Sequence, residues 1–194
     1  MSGIYKSLKW PDGQSNPSGI KTRVFIAPKS FIKTHPRVIS APVTEAEFVT
    51  LAGDYEMNTG KTFLELYTTQ GKGKVEFETV GEKDHQMFTN KGTFKFPDIS
   101  NAAKALAKSY LNSNAVVVAL LPHETEFRAV VIGEDDFDVT VKFKGTSGDA
   151  AGSEKGLTFD IECSSYNPLP SYAGAIVLED GTYDCETGVF TPTP

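Results

Sequence analysis

The chain has few of the residues from which proteins build metal sites and active sites. Its 194 residues include three histidines and two cysteines. His35, His85 and His123 stand apart, with no second ligand two to four residues away, so we expect surface histidines and no metal site. Cys163 and Cys185 are too few for a disulfide framework, and no histidine lies nearby to activate a thiol. We favour a buried free thiol at Cys163, with a bridge as the alternative.

Long apolar runs and clustered basic residues are also missing. The longest apolar run, from Ala115 to Pro122, is far below the ~20 residues of a membrane-spanning helix. The formal net charge is −6 and the pI is about 5.1, which makes the chain a poor candidate for gripping phosphate backbones. No apolar stretch follows Met1 in the manner of a signal peptide, so we expect a chain made in a cytosol.

Period-two alternation is the main pattern that the sequence does contain. Val139, Val141 and Phe143 alternate with polar residues, and so do Phe159, Ile161 and Cys163. Such strands have one buried face and one face that is either solvent-exposed or covered by another protein. Further strands are predicted over residues 22–27, 47–55, 62–68, 74–80, 115–121 and 127–132, of which 115–121 is expected to be a central strand. Residues 87–96 are predicted to form two short segments. A meander is predicted from residue 175, with a tight turn at Asp180-Gly181.

One helix is predicted, from about Asp98 to Leu111. Asp98 or Ser100 can cap it, and apolar residues recur at helical spacing up to Tyr110. The sequence therefore indicates a mainly β fold, an antiparallel β-sandwich or barrel with one packed α-helix. We expect residues 1–42 to form an arm or leader with one short strand, 43–165 the core, and 166–194 a meander of the same domain.

Three loops contain residues of the types that bind ions or partners. Glu134 to Asp138 could bind calcium, but the spacing fits no calcium motif, and a solvated turn is preferred. Gly71, Lys72 and Gly73 lack the spacing of a phosphate-binding loop and are interpreted as the tip of a hairpin between strands 62–68 and 74–80. The loop between Gly145 and Gly156 is either an inter-subunit loop that orders on a neighbour or a mobile hairpin loop; its candidate residues are Gly145, Thr146, Ser147, Gly148, Asp149, Gly152, Glu154 and Lys155.

The helix, the strand that follows it and the segment from Val139 to Phe159 carry a resemblance. Together with the stretch from Lys142 to Gly152 and the opening residues around Tyr5 and Pro17, they make the chain similar to phage major tail tube proteins. Tube proteins of contractile tails and of type VI secretion are relatives of that fold.

This resemblance implies a structural virion protein of the tail, made in the host cytoplasm. Its partners would be copies of itself in stacked, hexameric rings, together with other tail proteins. DNA would pass an acidic lumen without specific binding, and the loops and N-terminal segment would reach the next ring. The resemblance implies no catalytic residue, no cofactor, no metal and no membrane contact.

Other function classes stay open. A carbohydrate-binding or adhesin-like module would need an exposed aromatic platform, which Tyr166, Tyr172 and Tyr183 could supply. A small β-fold enzyme would need a convergent polar cluster, and the sequence shows none. Another component of the virion or of an injection system is the remaining alternative.

Overall fold

The computed structural model describes residues 5–10, 12–13, 15–123 and 128–193, and within them the chain is mainly β. The first strands are β1 (Arg23–Pro28), β2 (Ile32–Thr34), β3 (Arg37–Val38), β4 (Thr50–Ala52), β5 (Glu56–Met57), β6 (Leu64–Tyr67), β7 (Lys74–Val80) and β8 (Met87–Phe96). The later strands are β9 (Ala115–Leu121), β10 (Arg128–Ile132), β11 (Thr140–Thr146), β12 (Gly156–Ser165), β13 (Ser171–Tyr172), β14 (Ala175–Val177), β15 (Gly181–Asp184) and β16 (Phe190–Pro192). The helices are α1 (Glu45–Val49) and α2 (Asn101–Ser109), with a 3-10 turn at Lys29–Phe31.

A seven-stranded sheet lies at the centre, in the order β3-β4-β13-β10-β9-β1-β6. Strand β9 runs antiparallel to both β1 and β10, and its first six residues are buried. A strand that is covered on both faces needs a continuous apolar sequence instead of an alternating one, so the prediction of a central strand here is confirmed. These sheets do not close into a barrel within the described residues.

A four-stranded antiparallel sheet, in the order β11-β12-β8-β7, packs against one face of the seven-stranded sheet. Phe94, Phe159 and Ile161 on its inner face join Val117 and Ile132 in one hydrophobic cluster. The alternation predicted for β11 and β12 is confirmed.

The prediction of two short segments between Met87 and Phe96 was wrong, because β8 is continuous. Asn90, which looked like part of a turn, pairs with Cys163 on β12. Its side chain donates to the Asn167 carbonyl oxygen and accepts from the Leu169 backbone N–H, each at 3.0 Å. The buried amide of Asn90 therefore has hydrogen-bond partners although the residue lies in the middle of a strand.

The C-terminal residues form a three-stranded antiparallel sheet, β14-β15-β16, which confirms the predicted meander. Ile176, Leu178 and Tyr183 pack onto the opposite face of the seven-stranded sheet, where they meet Phe25 and Val118. A small sheet of β2 and β5 borders the same region.

Helix α2 is shorter than predicted. The Ser100 side chain accepts from the Ala103 N–H at 3.4 Å, and Asn112, with φ +57°, follows the last turn. Helix α1 replaces part of a predicted strand from Glu47 to Tyr55. Thr44 and Glu47 form a capping box, which starts a helix at the beginning of the predicted strand.

The first 42 residues contribute more than the one strand predicted. Strand β1 lies between β6 and β9 in the seven-stranded sheet, and β2 and β3 follow it. The described residues before Ile20 are exposed and form no helix or strand.

Candidate functional site

The outer face of the four-stranded sheet is polar on all four strands. The pairing register places these residues on it: Lys74, Glu76 and Glu78 (β7); Thr89, Lys91, Thr93 and Lys95 (β8); Thr158, Asp160, Glu162 and Ser164 (β12); Thr140, Lys142 and Lys144 (β11). Apolar side chains enter this face only at one end, where Val80 pairs with Met87. We call this surface the polar face.

Positive and negative groups are mixed on the polar face. Lys74 Nζ lies 2.9 Å from Glu76 Oε1, and Thr93 donates to Asp160 Oδ1 at 2.7 Å. Lys91 pairs with Glu78, and this hydrogen bond raises the pKa of the lysine. The face is therefore not acidic.

Both outer edges of this sheet are open. Within the described residues, neither β7 nor β11 pairs with a strand on its outer side. Each edge is seven residues long and leaves a row of backbone N–H and C=O groups without strand partners. Beside β7 lies a groove of about 400 Å³ lined by Val75, Phe77, Leu121 and Leu169 among others, and Phe77 is 54% exposed there.

The long loop between β11 and β12 is a hairpin loop, because the two strands are antiparallel neighbours. Gly145 and Thr146 belong to β11, so the loop proper covers residues 147–155. Glu154 Oε1 lies 2.5 Å from Lys72 Nζ, and its other oxygen contacts Lys95. Lys155 Nζ lies 2.7 Å from Asp98 Oδ1. Hydrogen bonds from these lysines lower the pKa of Glu154 and of Asp98 to about 2.

Gly71, Lys72 and Gly73 are not the tip of a β6–β7 hairpin, so that prediction was wrong. Strand β6 pairs with β1, whereas β7 pairs with β8, and the connection crosses from one sheet to the other. A Lys72 N–H to Thr69 C=O hydrogen bond of 3.0 Å closes a turn in it. Gly73 allows close packing, since a Cβ there would lie 2.5 Å from the Ile20 side chain.

The acidic turn that follows β10, residues 134–138, contacts basic side chains from other parts of the chain. Lys29 Nζ contacts the Asp135 carbonyl oxygen at 2.5 Å and Asp138 at 3.4 Å, and Arg37 lies 3.3 Å from Asp135. Asp135, Asp136 and Asp138 are exposed, as the solvated-turn prediction expects, and the carboxylates of Asp135 and Asp138 also contact cations of the chain itself. No group of three or more potential metal ligands occurs in the described part of the chain.

His35 is not a surface histidine, so that prediction was wrong for one of the three. Its side chain is 8% exposed and stacks edge-on against Tyr55, with ring centroids 5.8 Å apart. Its Nε2 lies 4.0 Å from Asp135 Oδ1, and burial lowers its pKa. His85 is exposed and His123 is half-buried.

Sequence reasoning missed a buried polar group next to the acidic turn. The Ser165 hydroxyl donates to the Glu134 carboxylate, and burial raises the pKa of Glu134. Ser165 continues the inward positions of Cys163 on β12, which is the only sequence signal for it. Both cysteines are free and buried, as expected for Cys163, and burial raises their pKa values to about 11 for Cys163 and about 12 for Cys185.

The three tyrosines considered as a binding platform do not share a surface. Tyr172 and Tyr183 are buried, and the Tyr172 hydroxyl donates to the Ala175 carbonyl oxygen at 2.9 Å. Tyr166 alone is exposed, at 62%, and packs edge-on against Phe137. These residues therefore offer no flat aromatic surface to a sugar ring.

No family model matches the chain, and comparisons with curated proteins and with solved structures gave no match. Of the helices in the described ranges, none has the length and apolar character that crossing a membrane requires.

Proposed function

We propose that this chain is the structural subunit of a hollow tube, similar to a phage tail tube protein, which assembles edge to edge into stacked rings. In this proposal the four-stranded and seven-stranded sheets form a β-sandwich. The four-stranded sheet is the assembly element, because it alone combines two open seven-residue edges with a polar face.

The open edges of the four-stranded sheet carry this proposal. Its strands alternate in direction, so β7 and β11 run in opposite directions. Rotation about an axis roughly parallel to the strands keeps every strand direction. A second subunit related to the first by such a rotation would therefore place its β11 antiparallel to β7 of the first subunit. Repeating the step around a closed ring pairs every edge, which removes the unpaired backbone groups that make open edges prone to aggregation.

The polar face supports a role as the lining of the bore. In such a ring one sheet face must point inward, and the apolar inner face is already occupied by the core of the subunit. The polar face carries five lysines and four carboxylates, so its charges nearly balance and phosphate groups would find little net positive charge to bind. DNA would pass such a surface without being held.

The assembly proposal is tested by light scattering and negative-stain microscopy over a concentration series. Phe77→Lys puts a charge at the open β7 edge, where we expect it to prevent rings while the circular dichroism spectrum is unchanged. Val189→Lys is the matched control, since it also replaces an exposed apolar residue but lies between β15 and β16. Rings from the Phe77→Lys variant, or none from the wild type at any concentration, would contradict the proposal.

A carbohydrate-binding or adhesin-like module has less support. Burial of Tyr172 and Tyr183 removes the platform that favoured it, and the open edges would serve no purpose in a monomeric binder.

A further inference from the structure

The two open edges of the four-stranded sheet have equal length and complementary charges. A joined sheet keeps its polar side chains on one face, so the pairing of β7 with β11 of a second copy can shift only in steps of two residues. Antiparallel overlap of all seven residues places Glu76 opposite Lys144 and Glu78 opposite Lys142. Both lysines are exposed, and neither forms an ion pair in the part of the chain that the structure describes. The two glutamates contact lysines of their own subunit, but a carboxylate can accept from more than one donor.

The neighbouring registers match these charges less well. A shift by two residues in one direction places Lys74 opposite Lys144, which opposes two like charges. The same shift in the other direction places Val80 opposite Lys142 and leaves one charge pair instead of two. Opposite charges that face each other across two strands stabilise the pairing and like charges destabilise it, so full overlap is favoured.

Full overlap also supplies the stagger that a closed ring of strands requires. The pairing inside one subunit sets Glu76 level with Thr140, whereas full overlap between subunits sets it level with Lys144. The stagger, from 140 to 144, is therefore four residues for the four strands, or one residue per strand. A barrel with that stagger has strands tilted by about 36° from its axis, which is within the ~35–45° typical of barrels.

The apolar groove beside β7 receives a side chain in this register. Phe77, which is 54% exposed, lies opposite Phe143 of the second copy, and Val75 lies opposite Gly145. Phe143 is half-buried and lies on the inner side of β11, as Phe77 does on β7. Aromatic residues that face each other on one side of a sheet stabilise strand pairing, and this pair would cover the lining of the groove, which is about 400 Å³ in volume.

We propose that β7 binds β11 of a second copy of this chain in the full-overlap register, with Phe143 of that copy seated against Phe77. This inference rests on the proposed function and adds the register of the subunit contact to it. The same charges disfavour contact between like edges, because two β7 strands in full overlap would oppose Glu76 to Glu78, and two β11 strands would oppose their lysines. Unlike edges therefore meet, which is the head-to-tail contact that a ring needs.

The register is tested by disulfide formation between the ends of the two strands. The full-overlap variants, which keep both charge pairs, are Thr140→Cys with Val80→Cys and Thr146→Cys with Lys74→Cys. The matched controls, whose thiols meet only in a shifted register, are Thr140→Cys with Glu78→Cys and Thr146→Cys with Glu76→Cys. Directly opposed Cα atoms lie about 4.5–5.5 Å apart, within reach of a disulfide, whereas those offset by two residues lie about 8 Å apart. After mild oxidation we expect about tenfold more covalent oligomer from each full-overlap variant than from its control.

Each outcome separates the register from the function on which it rests. A ladder of covalent oligomers from a control, with none from the full-overlap variants, would overturn the register and keep the contact between edges. Rings without a ladder from any of the four variants would overturn the pairing of β7 with β11. Neither rings nor ladders at any concentration, with the wild type included, would contradict the proposed function itself.

Lys144→Glu tests the charge pairs separately. It places a carboxylate opposite Glu76, so rings should appear at about threefold to tenfold higher protein concentration in about 50 mM NaCl. Lys104→Glu, at an exposed position of α2, changes the net charge equally and is the matched control. A shift no larger than that of Lys104→Glu would overturn the role of these charges in selecting the register.

Discussion

Arg23 donates two parallel hydrogen bonds to the carboxylate of Glu65, from Nε to Oε1 at 2.8 Å and from Nη2 to Oε2 at 2.6 Å. The guanidinium also lies 5.0 Å from the ring centroid of Tyr183. One side chain thus joins β1, edge strand β6 and the C-terminal sheet, and this planar geometry is specific to arginine.

Arg23→Lys should lower the free energy of unfolding by about 1 kcal/mol, because lysine can neither form the paired bonds nor stack on the ring in the same way. The measurement is urea denaturation of the monomer. Arg37→Lys is the control, since Arg37 is 80% exposed and contacts Asp135 through Nη2 at 3.3 Å. Equal midpoints for the two variants would contradict the assignment.

The buried His35 should make the stability depend on pH. Burial lowers its pKa below the unfolded value of 6.5, so the folded chain binds fewer protons there than the unfolded chain. This contribution is fully present above pH 6.5 and is lost as the pH falls through the folded pKa. Lys29 and Arg37 oppose protonation, whereas Asp135 favours it.

We therefore expect the urea midpoint of the wild type to fall between pH 7 and pH 5 more steeply than that of His35→Phe. The comparison isolates one histidine, because every other titrating group is common to both proteins. His85→Phe, at an exposed position, should keep the wild-type slope.

Glu134 should show the opposite pH dependence. Burial raises its pKa above the unfolded value of 4.5, so its contribution is greatest below pH 4.5 and is lost as the pH rises through the folded pKa. Glu134→Gln should gain stability relative to the wild type between pH 4 and pH 7, measured as the difference in urea midpoints. A constant difference over that interval would show that the carboxyl titrates normally.

The sequence predicted those strands whose hydrophobic pattern reflects which of their two faces are buried. The apolar run of β9 and the alternation of β12 report burial on two faces and on one face, and both were assigned correctly. Which strands pair was not readable: β6 and β7 are close in sequence and lie in different sheets. Turn-like composition around Asn90 hid a strand, because the hydrogen bonds that satisfy its amide come from residues about 80 positions away.

The ion pairs of the candidate site could not be predicted from the sequence, for a similar reason. Lys72, Lys95 and Glu154 come from three separate connections or strands, and only the fold brings them to one end of the sheet. The loop itself was recognised from its length and glycine content, which are local properties.

Helix α2 covers an apolar cavity of about 200 Å³, lined by Leu66, Phe96, Ala102, Leu106 and Phe159 among others. Ala103 also lines this cavity and is 6% exposed, so Ala103→Leu should partly fill it and raise the free energy of unfolding by about 1 kcal/mol, because buried methylene groups gain contacts. Ala105→Leu on the same helix is the control, since Ala105 is exposed and does not line the cavity. A similar gain from both variants would indicate helix propensity instead of cavity filling.

The edge-to-edge ring makes a prediction about cross-linking. Glu76 lies in the middle of β7 and Lys142 lies in β11, both on the polar face. Within one subunit these positions are three strand spacings apart and two residues out of register, about 16 Å, whereas across an edge-to-edge contact they would be one spacing apart, about 5 Å, or about 8 Å in a register offset by two residues. A bismaleimide of about 10 Å should therefore link different subunits of the double variant Glu76→Cys, Lys142→Cys and give a ladder of covalent oligomers. Cys163 and Cys185 should stay unmodified, because both are buried and their pKa values are raised.

The two single variants are the controls for this cross-linking. Glu76→Cys or Lys142→Cys alone provides one reactive thiol per subunit, and equivalent positions in neighbouring subunits would be a full sheet width apart, so neither should form a covalent dimer. A covalent dimer from one single variant would indicate contact between like edges, which a rotational ring does not allow. Rings visible by microscopy without a ladder from the double variant would place the subunit contact elsewhere than at β7 and β11.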